Sequence, residues 1–194
     1  MDANKIRGKR LISMIVLFIL SFNIIQGQEF NLSNAESSLT VLGTSSLHDW
    51  HVVAEKQHGK IIFTNAKECQ IEKINVEIEA ESLKSGKSSM DKNTYKALNT
   101  SSYKTISFQS TEIKSVTNKG NGTFNVVAAG NLTISGTKKP ITLDFTINIS
   151  DTTIRLAGEK KIKMTDFNVE PPKALLGTIT TGNDITIKFS TIFK

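Results

Sequence analysis

Apolar and polar residues alternate one by one over long stretches of this chain. Ile74, Val76, Ile78 and Ala80 are separated by Asn75, Glu77 and Glu79. Phe124, Val126, Ala128, Gly130, Leu132 and Ile134 repeat the pattern, as do Ile141, Leu143, Phe145, Ile147 and Ile149. Ile154, Leu156 and Gly158 continue it, and Ile162 and Met164 resume it after a charged interruption at Lys160. Ile185, Ile187 and Phe189 carry it to the end. A period of two places successive side chains on opposite faces of an extended strand, so each strand has a dry face and a wet one. No segment is apolar on both faces, which argues against a helix-covered parallel sheet. The pattern predicts an all-β fold: eight or nine antiparallel strands closed into a barrel without exposed edges, with one short helix.

The breaks between the strands agree. Asn118-Lys119-Gly120-Asn121-Gly122 supplies residues that tolerate positive φ, as a hairpin loop requires. Ser150-Asp151 is short enough for a tight turn, and Gly136 to Pro140 marks a further break, with Pro140 expected at a strand start, where a missing N–H costs least. The helix is expected over 90–98, where Tyr95 and Leu98 stand three apart on a shared face that is either a lid over the barrel mouth or the face by which the helix docks.

Strand length bears on function. Phe124 to Ile134 spans ten steps of ~3.4 Å, so a tilted strand of that length builds a wall roughly 26 Å tall. Barrels of about eight strands either fill with side chains or enclose one small ligand. Ala80, Ala128, Gly130 and Gly158 in the inward series either leave space for a ligand or permit close contacts and bends. Alternation by itself leaves both readings open.

The first residues differ from the rest. Lys5, Arg7, Lys9 and Arg10 precede the apolar run Leu11 to Ile25, which is too short to span a bilayer but suits the core of an export signal. Cleavage is expected after Gly27, giving residues 1–27 as a signal peptide, 28–37 as a lead-in and 38–194 as the folded domain. The expected location is the periplasm or outside the cell. Without residues 1–27 the chain carries 20 Lys+Arg against 17 Asp+Glu, a net +3 that describes an ordinary surface. No basic cluster interleaved with aromatics remains, which argues against nucleic-acid binding. One cysteine, Cys69, rules out an intramolecular disulfide.

Catalytic signals are weak. His48, His51 and His58 fall close together beside Asp49, and imidazole and carboxylate are ordinary metal ligands. On a strand, however, the odd spacing of His48 and His51 sends them to opposite faces. Ser45, Ser46, His48 and Asp49 supply the letters of a hydrolase triad without the geometry, and there is no Gly-x-Ser-x-Gly elbow or phosphate-binding glycine loop. No enzyme and no cofactor is expected. Trp50, the single tryptophan, is expected to plug one end of the barrel rather than line its interior.

Three stretches carry a family resemblance. Gly130-Asn131-Leu132-Thr133-Ile134-Ser135-Gly136-Thr137-Lys138-Lys139-Pro140-Ile141-Thr142-Leu143 is the most specific. Tyr103 to Ser110 and Thr181 to Ile187 match in order and spacing. Over residues 38–194 the chain resembles the bacterial YceI-like family of polyisoprenoid-binding proteins. That resemblance implies a lipocalin-like antiparallel barrel with a deep apolar pore, exported to the periplasm, that binds isoprenoid lipids, quinones or fatty-acid-type amphiphiles. The family commonly opens with a serine-histidine motif and carries an arginine-aspartate-histidine cluster before its helix. Here the corresponding residues are Thr44 to His51 and Ser89-Met90-Asp91-Lys92, so the head group recognised is expected to differ.

The expected function is binding, carriage or storage of a long apolar amphiphile without catalysis, by a monomer or homodimer that makes at most transient contact with a membrane surface. The expected lipid-binding residues are Ile74, Val76, Ile78, Tyr95, Leu98, Phe108, Phe124, Val126, Ala128, Leu132, Leu143, Phe145, Leu156 and Phe189. The alternatives are a structural barrel with a filled core, or a metal-binding enzyme built on His48, His51 and His58.

Overall fold

The computed structural model describes residues 27–174 and 177–194. The basic and apolar amino-terminal segment, and with it the expected export signal, lies outside these residues. The described chain forms strands β1 (Gln28–Asn31), β2 (Ser38–Ser45), β3 (Trp50–Ala54), β4 (Gln57–Asn65), β5 (Gln70–Glu79), β6 (Leu83–Lys84), β7 (Thr105–Gly120), β8 (Thr123–Ile134), β9 (Thr137–Ile149), β10 (Ile154–Lys163), β11 (Lys173–Ala174) and β12 (Ile179–Phe193). Its α-helix, α1, is Ser88–Leu98.

Eleven strands lie on one hydrogen-bonded path, β1-β4-β5-β7-β8-β9-β10-β12-β2-β3-β6, and β11 pairs β12 off it. Every pairing is antiparallel. The count of eight or nine strands in a closed barrel is therefore corrected: the sheet curls into a half-barrel whose end strands, β1 and β6, do not pair. Asn31 and Lys194 exchange backbone hydrogen bonds of 2.7 and 2.9 Å, which tie β1 to the end of β12. The alternation picks out β5, β8, β9, β10 and β12, whereas β1 with four residues and β6 and β11 with two each are too short to show a period. Residues 28–37, expected to be a lead-in, include β1 and so contribute to the sheet.

Turn chemistry sets the register. Ser135 (φ 48°) and Gly136 (φ 73°) form the two-residue turn between β8 and β9, both with the positive φ such hairpins require. Asn121 and Gly122 do the same between β7 and β8. Pro140 is not at a strand start; it is the fourth residue of β9. Register places it opposite Asn131, three steps from the hydrogen-bonded pair that closes the turn. Such a pair is not hydrogen-bonded, so the missing N–H of Pro140 faces β10 rather than β8.

On that side there is no ladder to break. The β9–β10 pairing ends at Phe145 and Gly158. Beyond it β9 follows β8 to Thr137, while β10 follows β12 to the pair Lys163–Asp184. The two strands separate and leave a seam in the wall. A 3-10 turn, Met164–Phe167, spans its far end, where Asn168 Nδ2 donates to Thr137 Oγ1 at 3.1 Å.

The interior divides in two along the strands. At one end Ile61, Phe63, Phe124, Val126, Ala128, Ile147, Ile154 and Phe193 pack into a filled core, each 3% exposed or less. Toward the other end the apolar side chains from β2, β3, β5, β8, β10 and β12 stand back from one another, and α1 lies across the opening.

Candidate functional site

The space so enclosed is a cavity of about 380 Å³, within the range of pockets that hold drug-sized ligands. Its depth is set by Ile74, Phe145 and Leu156, which also belong to the filled core. Val76 and Ile78 continue the wall on β5, Phe108 on β7, Leu132 on β8, Leu143 on β9 and Phe189 on β12. Leu98 reaches it from α1. Ten of the fourteen residues expected to meet a ligand thus line one space.

Four do not. Phe124, Val126 and Ala128 share the inward face of β8 with Leu132, but lie at the filled end against Ile61, Phe63 and Phe193. Tyr95 stands outside because a three-residue step leaves it about 60° around the helix from Leu98. The face over the cavity is Met90, Asn93, Thr94 and Ala97, with Leu98 at its edge. The Tyr95 hydroxyl instead donates toward the carbonyls of Glu81 (2.8 Å) and Leu83 (3.2 Å) and accepts from Lys84 Nζ, and so fastens α1 to the sheet. That hydrogen bond raises the Lys84 pKa. Asp91 secures the other end of α1: its carboxylate accepts from Ser85 Oγ (2.6 Å) and Ser85 N–H (2.8 Å), which lowers its pKa.

The small residues of the inward series are close contacts rather than space. A Cβ on Gly130 would collide with the Phe108 ring, and one on Gly158 with the Phe189 ring and the Asp144 carbonyl. Ala128 is fully buried. Trp50 lines the cavity as wall rather than end plug: its ring lies over Gly43 and its Nε1 donates to the Thr44 carbonyl at 2.9 Å.

Several lining residues escaped the sequence reading. Leu39, Val41 and Val52 come from β2 and β3, where a turn at Ser46–Asp49 interrupts the alternation. Phe167 and Val169 come from the segment that spans the seam, next to Met164, where the alternation of β10 ends. The signal was present in the spacing of Leu39 and Val41, but two residues are too few to separate it from chance.

The polar lining has one sign. Exposed His48, Lys87, Ser89, Asn93 and Lys173 stand at the mouth, and half-buried Lys160 stands deeper. No Asp or Glu is among the described lining residues. Of the three histidines, His48 approaches the Asp49 carbonyl through Nδ1 at 2.7 Å, while His51 and His58 are exposed on β3 and β4. Among the described residues, no group of three or more His, Cys, Asp and Glu is placed to hold a metal ion.

Comparison with known proteins agrees with the architecture. The fold is similar to that of BcnA from Burkholderia cenocepacia, with a TM-score of 0.67 at 20% identity over 83% of this chain and 98% of that one. It is similar to a polyisoprenoid binding domain from Saccharophagus degradans implicated in plant cell wall breakdown, with a TM-score of 0.67 at 14% identity over 85% and 97%. The Campylobacter jejuni YCEI protein gives a TM-score of 0.55 at 20% identity over 71% and 80%. No curated protein matches the sequence. A family model described as the YceI-like domain matches residues 30–193, nearly the whole described chain, and the protein belongs to that family.

Proposed function

We propose that the protein binds a long apolar amphiphile, an isoprenoid lipid, quinone or fatty-acid-type chain, inside the curled sheet, and carries or stores it without catalysis. One observation supports this above the others. The sheet encloses about 380 Å³ walled by aliphatic and aromatic side chains, while a filled core of the same strands lies directly beneath. Burial supplies the affinity: at ~0.8 kcal/mol per methylene, ten carbons contribute roughly 8 kcal/mol before ordering costs. The Saccharophagus degradans neighbour, a polyisoprenoid binding domain of the same fold, supports the same class of ligand. The basic and apolar segment before Gly27 supports export to the periplasm.

Native mass spectrometry of protein purified from its own host tests the reading. A retained lipid is expected, released on denaturation. Protein that is lipid-free from the host and takes up no added long-chain lipid would leave a structural barrel as the better account. Amino-terminal sequencing of exported protein is expected to begin at or near Gln28, and a retained Met1 would refute the cleavage.

A further inference from the structure

Lys160 breaks the apolar series of β10, and the fold gives that break a location. Leu156, Gly158, Lys160 and Ile162 share one face of the strand, and Leu156, Lys160 and Ile162 line the cavity. The Lys160 ammonium donates to the Thr142 carbonyl at 2.7 Å. That carbonyl belongs to the stretch of β9 beyond the last β9–β10 pair, on the edge where Pro140 also faces the seam. The lysine thus stands where the ladder between two strands would have been. Among the described residues no carboxylate pairs with it.

An ammonium has three donors. One is used on Thr142, and the others lie half-buried in a cavity wall that also carries Leu143, Ile162 and Ile187, the last being the register partner of Lys160 on β12. A charge in such surroundings is best matched by an opposite charge that also accepts hydrogen bonds. None of the described residues provides one, and the described lining contains no acid to repel one. The geometry points to Lys160 as the site that seats the anionic head group of the bound chain, a carboxylate, in the seam between β9 and β10. The apolar tail then extends along the cavity. This rests on the proposed lipid-binding function and specifies the ligand as a negatively charged single-chain amphiphile. A purely structural lysine, present only to satisfy the Thr142 carbonyl, would give no such selectivity.

Calorimetry at neutral pH with delipidated full-length mature protein distinguishes the two. The probes are dodecanoate, dodecanol, dodecyl phosphate and inorganic phosphate. Dodecanoate is expected to bind about tenfold more tightly than dodecanol, the factor supplied by one charge-assisted hydrogen bond. Lys160→Met should abolish that preference and leave dodecanol binding intact, whereas Lys160→Arg should keep it. Lys67→Met, exposed and outside the cavity lining, should also keep it. Intact dodecanol binding by Lys160→Met confirms that the variant is folded, and if that variant fails to fold, loss of the preference in Lys160→Gln serves instead.

Equal affinity of the wild type for dodecanoate and dodecanol, or a preference that survives Lys160→Met, would overturn the assignment while leaving the lipid reading intact. Absence of binding by every chain-bearing probe would overturn both. Preference for dodecyl phosphate over dodecanoate would overturn the carboxylate in favour of a phosphate head. Binding of inorganic phosphate with no gain from the chain would show an anion site unrelated to lipid, and would also overturn it.

Discussion

Ala128 and Val41 are both inward-facing, yet the structure gives them different surroundings. Ala128 is fully buried in the packed end among Phe124, Val126 and Phe145. Val41 lines the cavity. Replacing each with phenylalanine adds a similar ring to opposite halves of one interior. In the packed end the ring has nowhere to go, and overpacking costs typically 1–3 kcal/mol. For a domain of this size about 1 kcal/mol lowers Tm by roughly 2–4 °C, so Ala128→Phe is expected to lose about 2–12 °C. Val41→Phe places its ring in open space and is expected to shift Tm by less than about 2 °C. It should instead weaken chain binding. Excluding two or three methylenes at ~0.8 kcal/mol each removes roughly 2 kcal/mol, or about thirtyfold in Kd. Thermal unfolding followed by circular dichroism, together with calorimetric titration of dodecanoate, reads both effects. A Val41→Phe protein as destabilised as Ala128→Phe would refute the open cavity. A thermally neutral Ala128→Phe would refute the packed end.

Other outcomes follow from single residues. Gln57 is buried with both atoms of its side-chain amide unpartnered, so Gln57→Met is expected to raise stability by about 1–3 kcal/mol, seen as a higher urea midpoint; a lower midpoint would contradict this. Asp91 is held below the ordinary carboxylate range by the Ser85 hydroxyl first and its N–H second. Its ionised form therefore stabilises the fold above the unfolded value of about 3.9, and that contribution is lost as pH falls through the lower folded value. Thermal scans should accordingly show wild type and Asp91→Asn separated at neutral pH and converging as pH falls below the unfolded value of about 3.9, and a constant separation would refute the linkage. Burial pushes the Cys69 thiol up to about 12, so an aromatic disulfide reagent at neutral pH is expected to label it only in denaturant. Rapid labelling of native protein would show that the packed end opens.

The one-by-one alternation in β5, β8, β9, β10 and β12 is local, since successive side chains of a strand must point to opposite faces. The all-β antiparallel class, the long strands, the hairpin at residues 118–122 and most of the inward-facing residues were therefore legible without coordinates. So was the interruption at Lys160. The division of the interior was not. Phe124, Val126, Ala128 and Leu132 occupy equivalent positions in the pattern, but the first three meet Ile61, Phe63 and Phe193, which lie remote in the chain, while Leu132 faces the cavity. Alternation specifies which face is dry, not what stands opposite it. The same applies to Gly130 and Gly158, whose apparent space is occupied by the rings of Phe108 and Phe189 from neighbouring strands. Tyr95 and Leu98 were separated by a rotation about the helix axis that spacing alone did not resolve. Pro140 marked a break in the sequence, but only the strand order shows that it faces β10, where the seam opens and Lys160 reaches across. Secondary structure follows from neighbours along the chain, whereas packed core and cavity differ in partners brought together by the curl of the sheet.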